Sequence, residues 1–214
     1  SNDASVTKAL ADAKVNTTGK SVTIVIQPYM DIAITDVAIN DNSQTVTLEI
    51  TPMYRTVATT ATDLNAENAI KLEGDDQNAA QIGDPQKLDI TKPVIVTIPL
   101  STDFAGEDVK TLYVNHEKNG RTYVYTGSVT SDVLTLTNPH GFSKFTITSD
   151  GPAAQIGDVG YASLEDAVND AKDGETVTIL KGGLSANMTG NTRTITLQNG
   201  TDESLTVTIN GQDI

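Results

Sequence analysis

The sequence predicts a mainly β protein, an antiparallel β-sandwich followed by a small α+β module made of a hairpin, one helix and the start of a β-solenoid. Two observations carry the β reading. Thr alternates with Val, Ile or Leu in "SVTIVI" (21–26), "TVTLEI" (45–50), "PVIVTIPL" (93–100), "TVTIL" (176–180), "TITL" (194–197) and "TVTI" (206–209). Period-two alternation of this kind fits a strand with one face buried and one solvated. Turn signals punctuate these runs, as antiparallel connections require. A third observation carries the smaller module: in "IGDVGYASLEDAVNDAKDGETVTIL" (156–180) the hydrophobic period changes twice, so a helix stands between strands.

Taken in order, "SVTKALADAK" places Val6, Ala9, Leu10 and Ala13 at helical spacing, a short amphipathic helix near the start. Strand runs follow to residue 59, and between Thr59 and Lys87 the rhythm disappears into a long polar connection containing "EGDDQNAAQIGDP". Asn119-Gly120 joins "TLYVNHEK" to "RTYVYTG" as a hairpin, because that dipeptide readily takes positive φ. Asn138-Pro139 and His140-Gly141 separate "VLTLT" from "FSKFTIT" in the same manner. The expected sandwich core is Val22, Ile24, Ile26, Val46, Leu48, Ile50, Val94, Val96, Ile98, Leu112, Val114, Val124, Leu134, Leu136, Phe142, Phe145 and Ile147. Asp150-Gly151-Pro152 ends that module, giving residues 1–150 and 151–214 as two modules with separate cores. The hexapeptide "AAQIGD" occurs at 79–84 and again at 153–158, but its flanks diverge and the match reads as coincidence.

The second helix is expected over 163–172. Ser163 caps it, Glu165 and Asp166 favour the positive end of its dipole, and Leu164, Ala167, Val168 and Ala171 form one apolar stripe. Asp173-Gly174 stops it. A helix this short is not stable alone, so it must cover a sheet. It is expected to lie as a lid over Val177, Ile179, Ile195 and Leu197, with an open strand edge remaining beyond Leu205, Val207 and Ile209.

Composition bounds the partners. A net charge of −14 on 214 residues repels phosphate backbones and anionic lipid, which argues against nucleic acid and membrane surfaces. No apolar run approaches the length of about 18 residues that spans a bilayer. No basic-then-apolar leader opens the sequence, so any export signal would already have been removed. Cys is absent, which excludes disulfides, thiolate metal sites and Cys nucleophiles.

The residues of the second module carry a family resemblance. Ile156, Gly157, Tyr161, Leu164, Ala167, Val168, Gly174, Thr176, Val177, Ile179 and Leu180 resemble a recurrent module of multidomain, adhesin-like surface proteins of Gram-positive gut bacteria. That module is an Ile-Gly-x-x-x-Tyr hairpin, a Leu-x-x-Ala-Val helix and an Asp-Gly-x-Thr-Val-x-Leu opening of β-solenoid coils. The stretch from "PVIVTIPL" through "LYVNHEKNG" to "NPHGFSKFTI" is similar to the β-sandwich modules that accompany it. The resemblance implies an exported, cell-surface-attached protein, and it supplies no site.

Chemistry has few candidate residues. His116, in "NHEKNG", and His140, in "NPHGF", each stand beside an expected turn, unpaired at any metal-ligand spacing. Neither reads as catalytic or zinc-binding. No Gly-x-Ser-x-Gly elbow or phosphate loop is present, and the carboxylates read as a solvated acidic surface. "NDNS" (40–43) and "EGDDQN" (73–78) offer oxygens for Ca²⁺ without the spacing of an EF-hand. Tyr123 and Tyr125, two apart on one strand, with Tyr113 on the partner strand, are expected to pack within the sandwich, with an aromatic platform for glycan as the alternative. A Lys–Asn isopeptide bond has no motif to locate it. The expectation is a non-enzymatic surface module for structural display or adhesion, with no catalytic, cofactor or metal residues assigned. Its partners would be a host glycan or matrix protein, adjacent modules, or a second copy through the C-terminal strand edge. The alternatives are a glycan-binding module or the N-terminal cap of a carbohydrate-active β-helix enzyme.

Overall fold

The computed structural model describes residues 4–40, 43–66, 68–100, 109–190 and 192–214. The chain is mainly β, with fifteen strands and two helices among the described residues. Helix α1 (Ala4–Asp12) is followed by β1 (Thr23–Asn40), β2 (Ser43–Thr59), β3 (Ala79–Lys87) and β4 (Val94–Pro99). Next come β5 (Thr111–Lys118), β6 (Arg121–Thr130), β7 (Val133–Asn138) and β8 (Lys144–Thr148). The hairpin β9 (Ala154–Ile156) and β10 (Val159–Tyr161) leads into α2 (Leu164–Asp170). The chain closes with β11 (Thr176–Ile179), β12 (Leu184–Ala186), β13 (Thr196–Asn199), β14 (Val207–Ile209) and β15 (Gln212–Asp213). Two compact units divide it: Ser1–Asp31 with Thr51–Asp89, and Ile32–Ile50 with Ile90–Ile214.

In the first unit α1 forms where the Val6, Ala9, Leu10, Ala13 stripe requires it. It packs against β3, burying Leu10 and Val15 with Ala58 and Ala80. The polar connection is shorter than expected, because β3 begins at Ala79 and pairs antiparallel with β2, Ala58 opposite Ala80. A register shift between Tyr54 and Thr56 absorbs the extra residues around Gly83, whose φ is 69°. Asn78 organises what precedes β3. Its Oδ1 accepts from Lys71 N at 2.9 Å, its Nδ2 donates to Ala69 O at 2.8 Å, and its carbonyl accepts from Thr59 Oγ1 at 3.0 Å. The expected core positions Val22, Ile24 and Ile26 are 39%, 55% and 69% exposed. β1 stands at the end of the strand order, and the apolar side chains of its first residues face solvent.

In the second unit the order β2-β8-β5-β6-β10-β9-β11-β13 forms one sheet, with β7 pairing both β6 and β4. The β5–β6 hairpin turns at Asn119 and Gly120, at φ 53° and 75°, with Lys118 opposite Arg121. The turn after β7 makes no hairpin: β7 pairs β4 and β6, whereas β8 pairs β2 and β5. Most ladders are antiparallel. Among the ladders described, β11–β13, with Val177 opposite Leu197, and β12–β14, with Leu184 opposite Val207, are parallel.

Of the expected core, Leu48, Ile50, Leu112, Val114, Val124, Leu134, Leu136, Phe145 and Ile147 are buried, and Val46, Val94, Val96, Ile98 and Phe142 are half-buried. Separate cores were expected, but one core runs from Leu48 and Phe145 through Tyr161 to Leu164, Val168, Val177 and Val207. Tyr123 and Tyr161 stand opposite each other across β6 and β10, so the apolar face is continuous. Helix α2 lies on that face. Its stripe of Leu164, Ala167, Val168 and Ala171 shares the core with Val177 and Ile179, and Ile195 and Leu197 pack at its margin. The far edge is half open: β13 has no second partner strand among the described residues, whereas β15 covers β14 and Ile214 N donates to Val207 O at 2.9 Å.

Candidate functional site: a buried histidine–tyrosine network

Strand register builds the polar centre of the second unit. Phe145 on β8, His116 on β5, Tyr123 on β6 and Tyr161 on β10 stand opposite one another in turn and share the core face. Val114 and Tyr125 form the neighbouring pair on that face. The His116 ring stacks on Phe145 at 4.3 Å, and Tyr123 lies between His140, stacked at 4.0 Å, and Tyr161, tilted at 5.4 Å. His140 arrives from the loop after β7. Asn138 folds that loop, accepting from His140 N at 3.2 Å and donating to Gly141 O at 2.6 Å, while Lys118 Nζ donates to His140 O.

The hydrogen bonds form a chain whose direction is fixed at one end. Ser143 Oγ donates to Glu117 O at 2.7 Å, so it accepts from His116 Nε2–H at 2.8 Å. His116 Nδ1 is then the acceptor of Tyr125 Oη–H at 2.7 Å, and Tyr125 Oη accepts from His140 Nδ1–H at 2.8 Å. This fixes His116 as the neutral Nε2–H tautomer and places a proton on His140 Nδ1. Burial is the main cause of their pKa shifts: His116 is pushed down to about 4, with Lys118 adding to the effect, and His140 is also lowered. Burial likewise raises the Tyr125 and Tyr161 hydroxyls above the ordinary phenol value.

A second set of contacts fastens α2 beside this network. Tyr161 Oη donates to Asp170 Oδ2 at 2.6 Å, and Arg121 Nε lies 3.3 Å from Asp170 Oδ1. Asp166 Oδ2 accepts from Thr122 N at 3.0 Å, and Ser163 Oγ caps the helix by accepting from Asp166 N at 3.0 Å. The helix carries no basic residue in its last turn. Arginines from elsewhere serve its C-terminal carbonyls: Arg193 donates to Val168 O at 2.9 Å and Arg121 to Asn169 O at 3.2 Å.

The chemical capacity of this arrangement follows from its bonding. Ser143 has a histidine neighbour, as an activated nucleophile would, yet its proton is committed to a backbone carbonyl. A histidine held neutral down to a pH of about 4 is a weak base. Asp166 and Asp170 are engaged by a backbone amide, a tyrosine and an arginine. The network therefore does positional work, holding the 138–143 loop and α2 to the sheet.

Sequence reading placed His116 and His140 beside separate turns; the structure joins them through one tyrosine hydroxyl. The missed signal is the period-two set Leu112, Val114, His116, which puts the histidine on the apolar face. The tyrosine platform does not form. Tyr123 and Tyr125 are buried at 9% and 7% exposure, and Tyr113 stands opposite Thr126, on the other face. Of the candidate calcium segments, 40–43 lies outside the residues whose side chains are described, and in 73–78 Asp76 pairs with Lys71 while Asn78 serves the loop backbone. Among the described residues no group of three or more acidic or histidine side chains forms a cation cage. No helix among them is long and apolar enough to cross a membrane. No known protein family, no curated protein and no solved structure matches the chain.

Proposed function

We propose that this chain is a non-enzymatic part of an exported bacterial surface protein that works by structural display or adhesion. On this reading a β-sandwich region runs into the hairpin–helix segment over 151–214, which shares its core and opens a β-solenoid. The observation that carries it is the pair of parallel ladders. Residue 177 pairs with 197 and residue 184 with 207, so two successive turns of chain stack strand on strand. The helix lid over β9–β11 agrees with the way a solenoid closes its first coil, and the self-satisfied histidine–tyrosine network supports a scaffold role.

Host glycans and matrix proteins are the partners this reading assigns, with adjacent modules or a second copy on the free β13 edge. The test is incubation of the full chain with arrayed glycans and matrix proteins, followed by analysis of what is retained. Retention of unaltered ligand is expected. Release of new reducing ends from a polysaccharide would overturn the non-enzymatic reading in favour of the carbohydrate-active alternative.

A further inference from the structure

The hexapeptide Ala-Ala-Gln-Ile-Gly-Asp contributes strand at both of its occurrences, all six residues within β3 at 79–84 and Ala154–Ile156 in β9, after which Gly157 and Asp158 form a turn. Ala79 and Ala80 are 0% and 3% exposed, and Ala153 and Ala154 are 3% and 0%. Gly83 and Gly157 both have positive φ, 69° and 55°. In each unit taken by itself, a helix packs on this strand, α1 on β3 and α2 on β9. The face covered is the same: Ala80 and Ile82 join the first core, Ala154 and Ile156 the second.

The helices correspond as well. "ASVTKALADAK" (4–14) and "ASLEDAVNDAK" (162–172) agree at Ala4, Ser5, Ala9, Asp12, Ala13 and Lys14. The stripe Val6, Ala9, Leu10, Ala13 matches Leu164, Ala167, Val168, Ala171, with Val and Leu exchanged between two positions. Leu10 and Val168, at the same place, are 5% and 0% exposed. Each helix ends alike, Ala13 N donating to Ala9 O and Ala171 N to Ala167 O, both at 3.0 Å. Chain order differs, because α1 precedes β3 by a long stretch whereas β9 stands just before α2.

We infer that strand and helix are a recurring recognition pair: the Ala-Ala-Gln-Ile-Gly-Asp strand is a seat for a helix of the pattern Ser-φ-x-x-Ala-φ-x-x-Ala, where φ is Val or Leu, whatever the connection between them. The second alanine, on the covered face, leaves room for the helix, and the Ile two residues on fills the space beside it. On this inference the shared Ala-Ala-Gln-Ile marks one helix seat used twice, and the two segments part at the glycine, Gly83 staying within β3 and Gly157 turning the β9–β10 hairpin. This goes beyond the display reading and does not depend on it.

The exchange of Val and Leu supplies the test. If the seats are equivalent, the first unit accepts the arrangement of the second, with Leu early and Val late in the stripe. In the full chain, Leu10→Val alone is expected to lower amide-exchange protection in β3 about fivefold, by emptying part of the seat. Adding Val6→Leu is expected to restore protection to within about twofold of the unsubstituted chain, a compensation that only coupled positions produce. A double variant as poorly protected as Leu10→Val, or worse, would overturn the inference. Ligand capture on an array reports on the proposed function and leaves this result untouched.

Discussion

His116 illustrates how one residue sets the behaviour of the site. Fully buried, it uses both ring nitrogens, and Phe145 covers its face. Protonation would put a second donor against Tyr125 Oη and a charge near Lys118, the cation that already lowers its pKa. The folded value of about 4 lies below the ordinary 6.5, so the unfolded chain takes the proton first as pH falls. The stabilisation is complete above pH 6.5 and is lost as pH falls toward 4. Its size is about 3 kcal/mol at 1.36 kcal/mol per pH unit. Urea titrations of the unsubstituted chain and of His116→Gln should show a stability gap that narrows between pH 7 and pH 4; a constant gap would remove His116 from the acid response. Packing gives a second contrast. Phe145, 3% exposed, should cost about 3 to 5 kcal/mol on truncation to Ala. Half-buried Phe142 should cost about half as much in the same denaturant measurement, and equal losses would contradict the burial difference. Leu48, Val114, Leu134 and Phe145 were legible as core because strict alternation reports the buried face. Val124 was read as core and is buried, but Tyr123 and Tyr125 beside it are buried as well, since a strand apolar on both faces leaves its facing undetermined.

Elements with strong local signals were the most legible. Helix α2 was expected over 163–172 and occupies Leu164–Asp170, with Ser163 capping it as its sequence position requires. The Asn119-Gly120 hairpin formed for the same reason, a local conformational demand met by local residues. Strand β3 was not legible, because its alternation is carried by Ala, Gln and Gly, which signal neither face. The histidine network was illegible as a site because β5, β6, β8 and a loop meet there only through long-range register. One glycine reports on that register directly. A Cβ at Gly160 on β10 would stand 2.6 Å from Val124 O on β6, so the hairpin must approach the sheet without a side chain there. Gly160→Ala should destabilise the second unit by about 1 to 3 kcal/mol, through overpacking against backbone. Thermal unfolding checks it, and an unchanged midpoint would mean that β10 sits farther from β6.

At the scale of the molecule, the central claim concerns the second unit: residues before and after the Asp150-Gly151-Pro152 break belong to one core. Composition and turn signals mark that break, but they cannot show that Tyr161 continues the face begun by Phe145, His116 and Tyr123. Val168 lies at the centre of the α2 stripe with no exposed surface. Val168→Asp buries an unpaired charge under the helix, a change severe enough to unfold whatever shares that core. Hydrogen exchange on this variant is the direct measurement. Protection should collapse around Val177 and, together with it, around Val114 and Phe145. A collapse confined to residues 151–214, with β5 and β8 still protected, would contradict the single shared core.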